Sequence, residues 1–300
     1  MANARALDNR RKSVKNIKKI TRTMELIATA RFKQAMDRAM SATGYTGRIT
    51  QVVNDLANSG LEVSHPLLEK RDETRSSVLL VLTSNRGLCG GYNGNVIRAG
   101  VERKAALESE SEKFELQVSG KRGVAGLKFR GIEADRVYTQ FEDKPLFSEV
   151  SEVANGFLDA FAAGTIDRLD VAYTRFLSVA KQEAVVETLL PLDSIGGPSD
   201  AGGGDEDRGE SKHSSVYEFI PSPESILEEV VPTSFKVKLF KCFLDAAVSE
   251  QIARMVAMKS ATENASDMIK QLSMEYNRAR QSQITGEIME IIGGVEALES

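Results

Sequence analysis

The two ends of the chain carry the tightest constraint on what it can fold into. Residues 4–58 contain no proline, and an apolar or small residue returns at alternating steps of three and four. The row runs from Val14, Ile17, Thr21, Met24 and Ala28 through Phe32, Ala35 and Ala39, then Ala42 and Thr46, to Ile49, Val53 and Leu56. At 100° per residue it fills a sector about 120° wide, the narrow seam of a coiled coil. A helix of that length spans on the order of 80 Å and is too thinly apolar to stand alone. Residues 233–292 are likewise free of proline, and Met258, Thr262, Ala265, Ile269, Leu272, Tyr276 and Ala279 repeat the spacing. The spacing predicts that the two terminal helices pack on each other.

The second helix changes character along its length. Between residues 235 and 244, Phe235, Val237, Leu239, Phe240, Phe243 and Leu244 cover nearly the full circumference, as in a helix buried on several sides. This base is expected against a globular body. At the other end, Ile284, Ile288, Ile291, Ile292 and Val295 are centred about 100° away from the seam row on a 3.6-residue wheel. One partner cannot use both faces, so the tip is expected to leave the first helix and meet something else.

Between the helices lies a different pattern. Residues 76–84 read as a buried strand, and 114–120, 135–141, 168–179 and 183–192 as four more. Helical periodicity at 93–109, 121–129 and 148–163 separates the earlier ones, which is the signature of an α/β sheet with helices on its faces. The last two strands are joined closely enough for an antiparallel hairpin. Residues 193–215 are rich in Gly, Ser and Asp and read as a linker. Pro221, Pro223 and Pro232 are expected to punctuate a short helix ahead of the long one. The organisation is therefore an N-terminal coiled-coil helix over 1–60, a central α/β domain over 75–192, a linker over 193–222 and a C-terminal coiled-coil helix over 223–300.

Composition removes several function classes. The chain has two cysteines, Cys89 and Cys242, with no CxxC spacing, against a disulfide framework or a zinc ribbon; both read as reduced, packed thiols. Two histidines, His65 in a loop and His213 in the linker, leave little for a metal site or a general base. No nucleophile–base pair or carboxylate dyad stands at a telling spacing, and neither cofactor nor metal is expected. The N-terminal residues lack the apolar core of a secretory signal, and no run approaches 18 uninterrupted apolar residues. Any membrane association would run through a partner.

Charge is uneven. Residues 1–58 hold 12 lysines and arginines against 4 acidic residues, whereas residues 59–223 hold 19 against 27. Arg11, Lys15, Lys18 and Arg22 share one helical face beside the apolar row, with Arg5, Lys12 and Lys19 on the next. Such a face can be merely solvated, can bind phosphate, or can meet an acidic protein surface; no aromatics interleave to stack nucleic-acid bases. SNRGLCGGYN, residues 84–93, follows the first strand and is the one candidate phosphate cradle. It lacks the lysine and hydroxyl of GxxxxGK[ST], and Gly87, Gly90, Gly91 and Gly94 miss the GxGxxG spacing. A structural strand-to-helix loop and a small-anion site both remain open.

The segments KNIKKITRTMELIATARF near the start and RMVAMKSATENASDMIKQLSMEYNRARQSQITGEIMEIIGG near the end closely resemble the gamma subunits of F-type ATP synthases, and residues 84–93 resemble a loop of that family's central domain. The resemblance implies an antiparallel coiled coil of the terminal helices with a Rossmann-like domain. It implies a non-catalytic rotor that couples ion flow through a membrane ring to ATP synthesis or hydrolysis. The implied partners are alpha and beta subunits around the coil, an epsilon subunit and the ring of c subunits, at the cytoplasmic face of a bacterial inner membrane. Met24, Arg254, Arg280, Gln281, Thr285 and Glu287 match family positions that lie against the beta subunits. Nothing in 193–215 resembles the paired regulatory cysteines of chloroplast members. Two rivals stand beside this: a basic coiled-coil nucleic-acid-binding protein, and a nucleotide-using α/β enzyme.

Overall fold

The computed structural model describes residues 4–57, 66–67, 74–141, 144–192 and 223–299; His65, His213 and the linker 193–222 lie outside them, as do the side chains beyond Gly44 in the first helix. Ten elements follow in order: α1 (Ala4–Ala57), β1 (Ser76–Leu82), α2 (Tyr92–Glu110), β2 (Lys113–Ser119), α3 (Lys121–Lys128), β3 (Arg136–Tyr138), α4 (Phe147–Ala162), β4 (Arg168–Phe176), β5 (Gln182–Leu190) and α5 (Pro223–Glu299). They form two compact units: one joins α1 up to Thr29 with α5 from Arg254, and the other runs from Ala30 to Ala253.

The Ala30–Ala253 unit is an α/β body. Its sheet has the order β3-β2-β1-β4-β5; β3, β2, β1 and β4 run parallel, and β5 closes an antiparallel hairpin on β4. The continuous apolar run of β1 is explained by helices on both faces. Val78, Leu80 and Leu82 point toward α4 and the base of α5, meeting Ala154, Phe157, Phe235, Leu239 and Phe243 in one core. Leu79 and Val81 point the other way, into a core with Val96 and Ile97 of α2 and Leu127 of α3. Gly100 lets α2 come close to the sheet, because a Cβ there would stand 3.2 Å from Val81. A smaller cluster packs Ala35 and Ala39 of α1 on Leu244, Val248 and Ile252 of α5.

Two expectations need correction. No separate short helix precedes α5: Pro223 opens it, and the helix runs on through Pro232. A proline inside a helix costs about 3 kcal/mol. Val231, Phe235 and Leu239 around it are fully buried, and burial stabilises by about 1.5–3 kcal/mol for each such side chain. Packing against the sheet therefore outweighs the break.

The second correction concerns the seam of the coil unit. Arg11 stacks on Tyr276 and Thr21 meets Thr262, so numbering falls along α5 as it rises along α1 and the helices are antiparallel. On α5 the expected row is the row in contact: Met258, Ala265 and Leu272 are buried, and Ile269, Tyr276 and Ala279 pack beside Leu7 and Val14. On α1 as far as Ala28 the buried and half-buried positions are Ala4, Leu7, Asp8, Arg11, Val14, Lys18, Thr21, Glu25 and Ala28. Apart from Asp8 these follow a seven-residue repeat, the spacing that keeps a supercoiled seam in contact. Ile17 and Met24, expected in it, are exposed. The step of four from Val14 and Thr21 carries Lys18 and Glu25 inward instead.

Candidate functional site

The crevice at the carboxyl ends of β1 and β2 is where an open α/β sheet of this kind holds a ligand. Here the base of α5 occupies it. Phe243, Ala246, Ala247 and Glu250 close over Thr83, Asn85 and Ser119, leaving a cavity of about 40 Å³. Small-molecule pockets run to roughly 300–1,000 Å³, so the space suits a water or two and no nucleotide. The glycine-rich loop is spent on itself. Ser84 N–H donates to Asn93 Oδ1 at 3.0 Å, and Asn93 Nδ2 reaches Ser84 Oγ at 2.8 Å and Cys89 Sγ at 3.1 Å. The Ser84 carbonyl accepts from Arg122 N–H at 3.0 Å. Asn85 donates to the Phe141 carbonyl at 2.7 Å and accepts from Lys121 N–H at 3.0 Å. That is the geometry of a structural latch between two crossovers.

Chemistry-bearing side chains elsewhere in the body are used for packing. Asp170, fully buried on β4, pairs with Arg103 of α2 and with Arg168 at 3.0 Å. Tyr173 donates to Glu187 at 2.8 Å, and Arg175 holds the same carboxylate at 2.9 Å. Burial pushes the Tyr173 phenol and the neighbouring Cys242 thiol well above their ordinary values, and the Glu187 charge adds to both shifts. A thiol held protonated is a poor nucleophile.

The surfaces of the coil unit are more telling. The basic face divides: Arg11 is committed to Tyr276, 4.7 Å from its ring, and to Asp8, while Arg22 pairs with Glu25 at 2.7 Å. Lys12 first and Arg11 second hold the Asp8 carboxyl below its ordinary value. Lys15, exposed, and Lys18, half-buried, have no ion-pair partner among the described residues. Sequence reasoning missed the opposite flank of the helix. Ile17, Ile20, Met24 and Ile27 are all exposed, Ile20 at 58% and Met24 at 37%, and make an outward row about 110° from the seam at 100° per residue. The signal for it was Leu7, which places the heptad seam one step away from Ile17 and Met24.

On α5, every residue from Arg280 to Val295 is exposed. Arg280, Gln281, Thr285 and Glu287 therefore present free faces; Glu287 accepts one bond, from Gln283 at 3.0 Å. Ile284, Ile288, Met289, Ile291, Ile292 and Val295 add a large apolar surface, with Ile291 at 67%. Arg254 does not join them. It is 9% exposed and lies 26 residues before Arg280, about 39 Å along a helix.

A long polar-flanked coil with an uncovered apolar end is built for a larger assembly. The family model described as "ATP synthase" matches residues 3–298. The chain is 65% identical over 300 residues to the ATP synthase gamma chain of Rhodopirellula baltica, covering 100% of both. The chain belongs to the ATP synthase gamma-chain family. It is also 38% identical over 314 residues to the gamma chain of Saccharopolyspora erythraea, covering 100% of this chain and 99% of that one. The fold of this gamma-chain relative is similar to a chain in the cryo-EM structure of the Euglena gracilis mitochondrial ATP synthase with OSCP, F1 and c-ring, at a TM-score of 0.62 and 19% identity over 98% of this chain and 94% of that one. Among the described residues no helix is long and apolar enough to cross a membrane.

Proposed function

We propose that this gamma chain is the non-catalytic central rotor of a proton-translocating F-type ATP synthase. The observation that carries the reading is the bare tip of α5: six large apolar side chains between Ile284 and Val295 stand in water on a helix whose earlier turns are packed in the coil. A patch of that kind calls for a surrounding partner. The alpha and beta subunits supply it as a sleeve, with Arg280, Gln281, Thr285 and Glu287 at the contact. Met24 on one flank of α1 and Lys15 and Lys18 on the other face the beta subunits, the lysines toward acidic loops. Arg254, nearly buried, acts through the packing of its own helix and not through reach. The body binds the epsilon subunit and the c-subunit ring, and holds the chain peripherally at the cytoplasmic face of the inner membrane.

The mechanism needs no chemistry on this chain. Each ion crossing the membrane delivers roughly 2.3 kcal/mol per 100 mV, and several crossings must be gathered for each ATP. A two-helix coil with different residues around its circumference offers each beta subunit a different contact, and that difference in contact energy biases their conformations. Affinity purification of the full chain tests the reading. Co-purifying alpha and beta subunits in a complex with rotation-dependent ATPase support it. A chain isolated without them at native abundance overturns it.

A further inference from the structure

We infer that two polar contacts in the coil, Arg11 on Tyr276 and Thr21 on Thr262, are positioning pins that hold the azimuth of α1 and keep the Ile17–Ile20–Met24–Ile27 row turned outward. The use of that row by a partner rests on the rotor reading; the pins themselves do not.

The argument starts from an imbalance. Of the seven seam positions on α1 from Leu7 to Ala28, only Leu7 and Val14 are large and apolar; Arg11, Lys18, Thr21 and Glu25 take four others. The outward row offers four large apolar side chains. Hydrophobic attraction is non-directional and follows buried area, so by itself it favours turning that row toward α5. Directional contacts oppose the turn. The Thr21 and Thr262 hydroxyls lie 2.8 Å apart and each also reaches a carbonyl of its own helix, Lys18 at 3.2 Å and Met258 at 2.8 Å. With two protons for these three contacts, one hydroxyl donates across the seam while the other donates to its own helix. The Arg11 guanidinium stacks 4.7 Å from the Tyr276 ring centre and is oriented by Asp8. Rotating α1 by about 110° moves a Cα at 2.3 Å radius by about 4 Å, enough to break both.

The seam also bears a cost of the kind expected from a device for specificity. Arg11 Nε and Glu25 Oε2 are buried without a hydrogen-bond partner. Polar groups at seam positions fix register and orientation at the expense of stability. Lys18 and Glu25 inside, with Ile20 and Met24 outside, are then the purchased arrangement.

The test is chemical labelling of the full chain, with Cys89→Ser and Cys242→Ser as background. Maleimide rates are compared for Ile20→Cys, on the outward row, and Lys18→Cys, in the seam. With both pins present, position 20 labels faster. Adding Thr21→Ala, Thr262→Ala, Arg11→Ala and Tyr276→Ala, which remove both contacts without adding apolar bulk to the seam and keep good helix formers in place, should reduce the ratio of the two rates severalfold. A ratio that stays the same overturns the inference, and so does a fall in melting temperature at constant ratio, which marks the contacts as ordinary glue. The same variants reconstituted into vesicles should pump fewer ions per ATP hydrolysed. A reduced labelling ratio with pumping unchanged leaves the pins standing and counts against the rotor reading of the row.

Discussion

Cys242 is held protonated first by burial and then by the nearby Glu187 and Asp245 charges. Tyr173, Glu187 and Arg175 form a bonded cluster on β4 and β5, and burial raises both the Tyr173 phenol and the Cys242 thiol from ordinary values of 10.0 and 9.0. Groups raised in the fold favour it below their ordinary values, and that contribution is lost as pH climbs past them. Stability should therefore decline above pH 9, by about 1.4 kcal/mol per pH unit for each group. Tyr173→Phe with Cys242→Ala should flatten the melting temperature between pH 9 and 11, and an unchanged slope would show that the cluster is not the cause. The protonated, buried thiol also predicts indifference to redox reagents. Cys89 and Cys242 are both buried and outside any disulfide, so oxidants and reductants should leave the ATPase rate of the complex unaltered; a reversible change abolished by Cys→Ser at either position would contradict this. Gly120 shows a backbone requirement of the same local kind. It has φ 101°, and a Cβ there would lie 2.2 Å from the Thr83 carbonyl oxygen. Gly120→Ala should cost about 3 kcal/mol from strain and overpacking, read by urea unfolding of the full chain.

The two long helices present faces that can be altered without unfolding them. Met24 lies on the exposed row of α1, on the opposite flank of the seam from Lys15 and Arg22 at 100° per residue. Met24→Lys adds a cation there, and a charge-assisted bond to an acidic loop is worth about 1.5–3 kcal/mol, enough to over-stabilise one rotor angle. Fewer ions pumped per ATP hydrolysed are expected with the coil still folded, and normal coupling would refute the contact. At the other end, Arg280→Ala, Gln281→Ala and Thr285→Ala replace exposed side chains with the best helix former. Circular dichroism of the chain should show melting unchanged or slightly raised, while ATP synthesis in vesicles falls. Loss of synthesis that tracks loss of helix would remove these residues from the contact. The strand elements tell the complementary story. β1 could be read from its unbroken SSVLLVL, yet that run alone cannot say that Leu80 meets α5 while Leu79 meets α2.

Across the chain the charge is polarised, with a strongly basic first helix and an acidic body. Electrostatic attraction of this kind acts on association rates and is screened beyond about 8 Å at physiological ionic strength. Binding of the chain to an alpha–beta ring should slow by about tenfold or more as salt rises from low to high. Lys15→Gln with Lys18→Gln and Lys19→Gln should weaken that salt dependence, as read by stopped-flow association. A rate indifferent to salt would mean that the basic face is only a solvated surface. What local spacing could settle was considerable: two terminal helices, five strands with their three intervening helices, an α5 seam from Met258 to Ala279 and a tip facing elsewhere. Periodicity is a property of backbone geometry, and it survives in a one-dimensional string. The α1 seam was not legible in the same way, because Ile17 and Lys18 are equally placed to follow Val14 and only the partner helix selects between them. Continuation of α5 through Pro232 and its occupation of the crevice over β1 and β2 were decided by contacts between residues more than a hundred positions apart. Those contacts outweigh local preference because burying several large side chains is worth more than the one helical bond a proline removes.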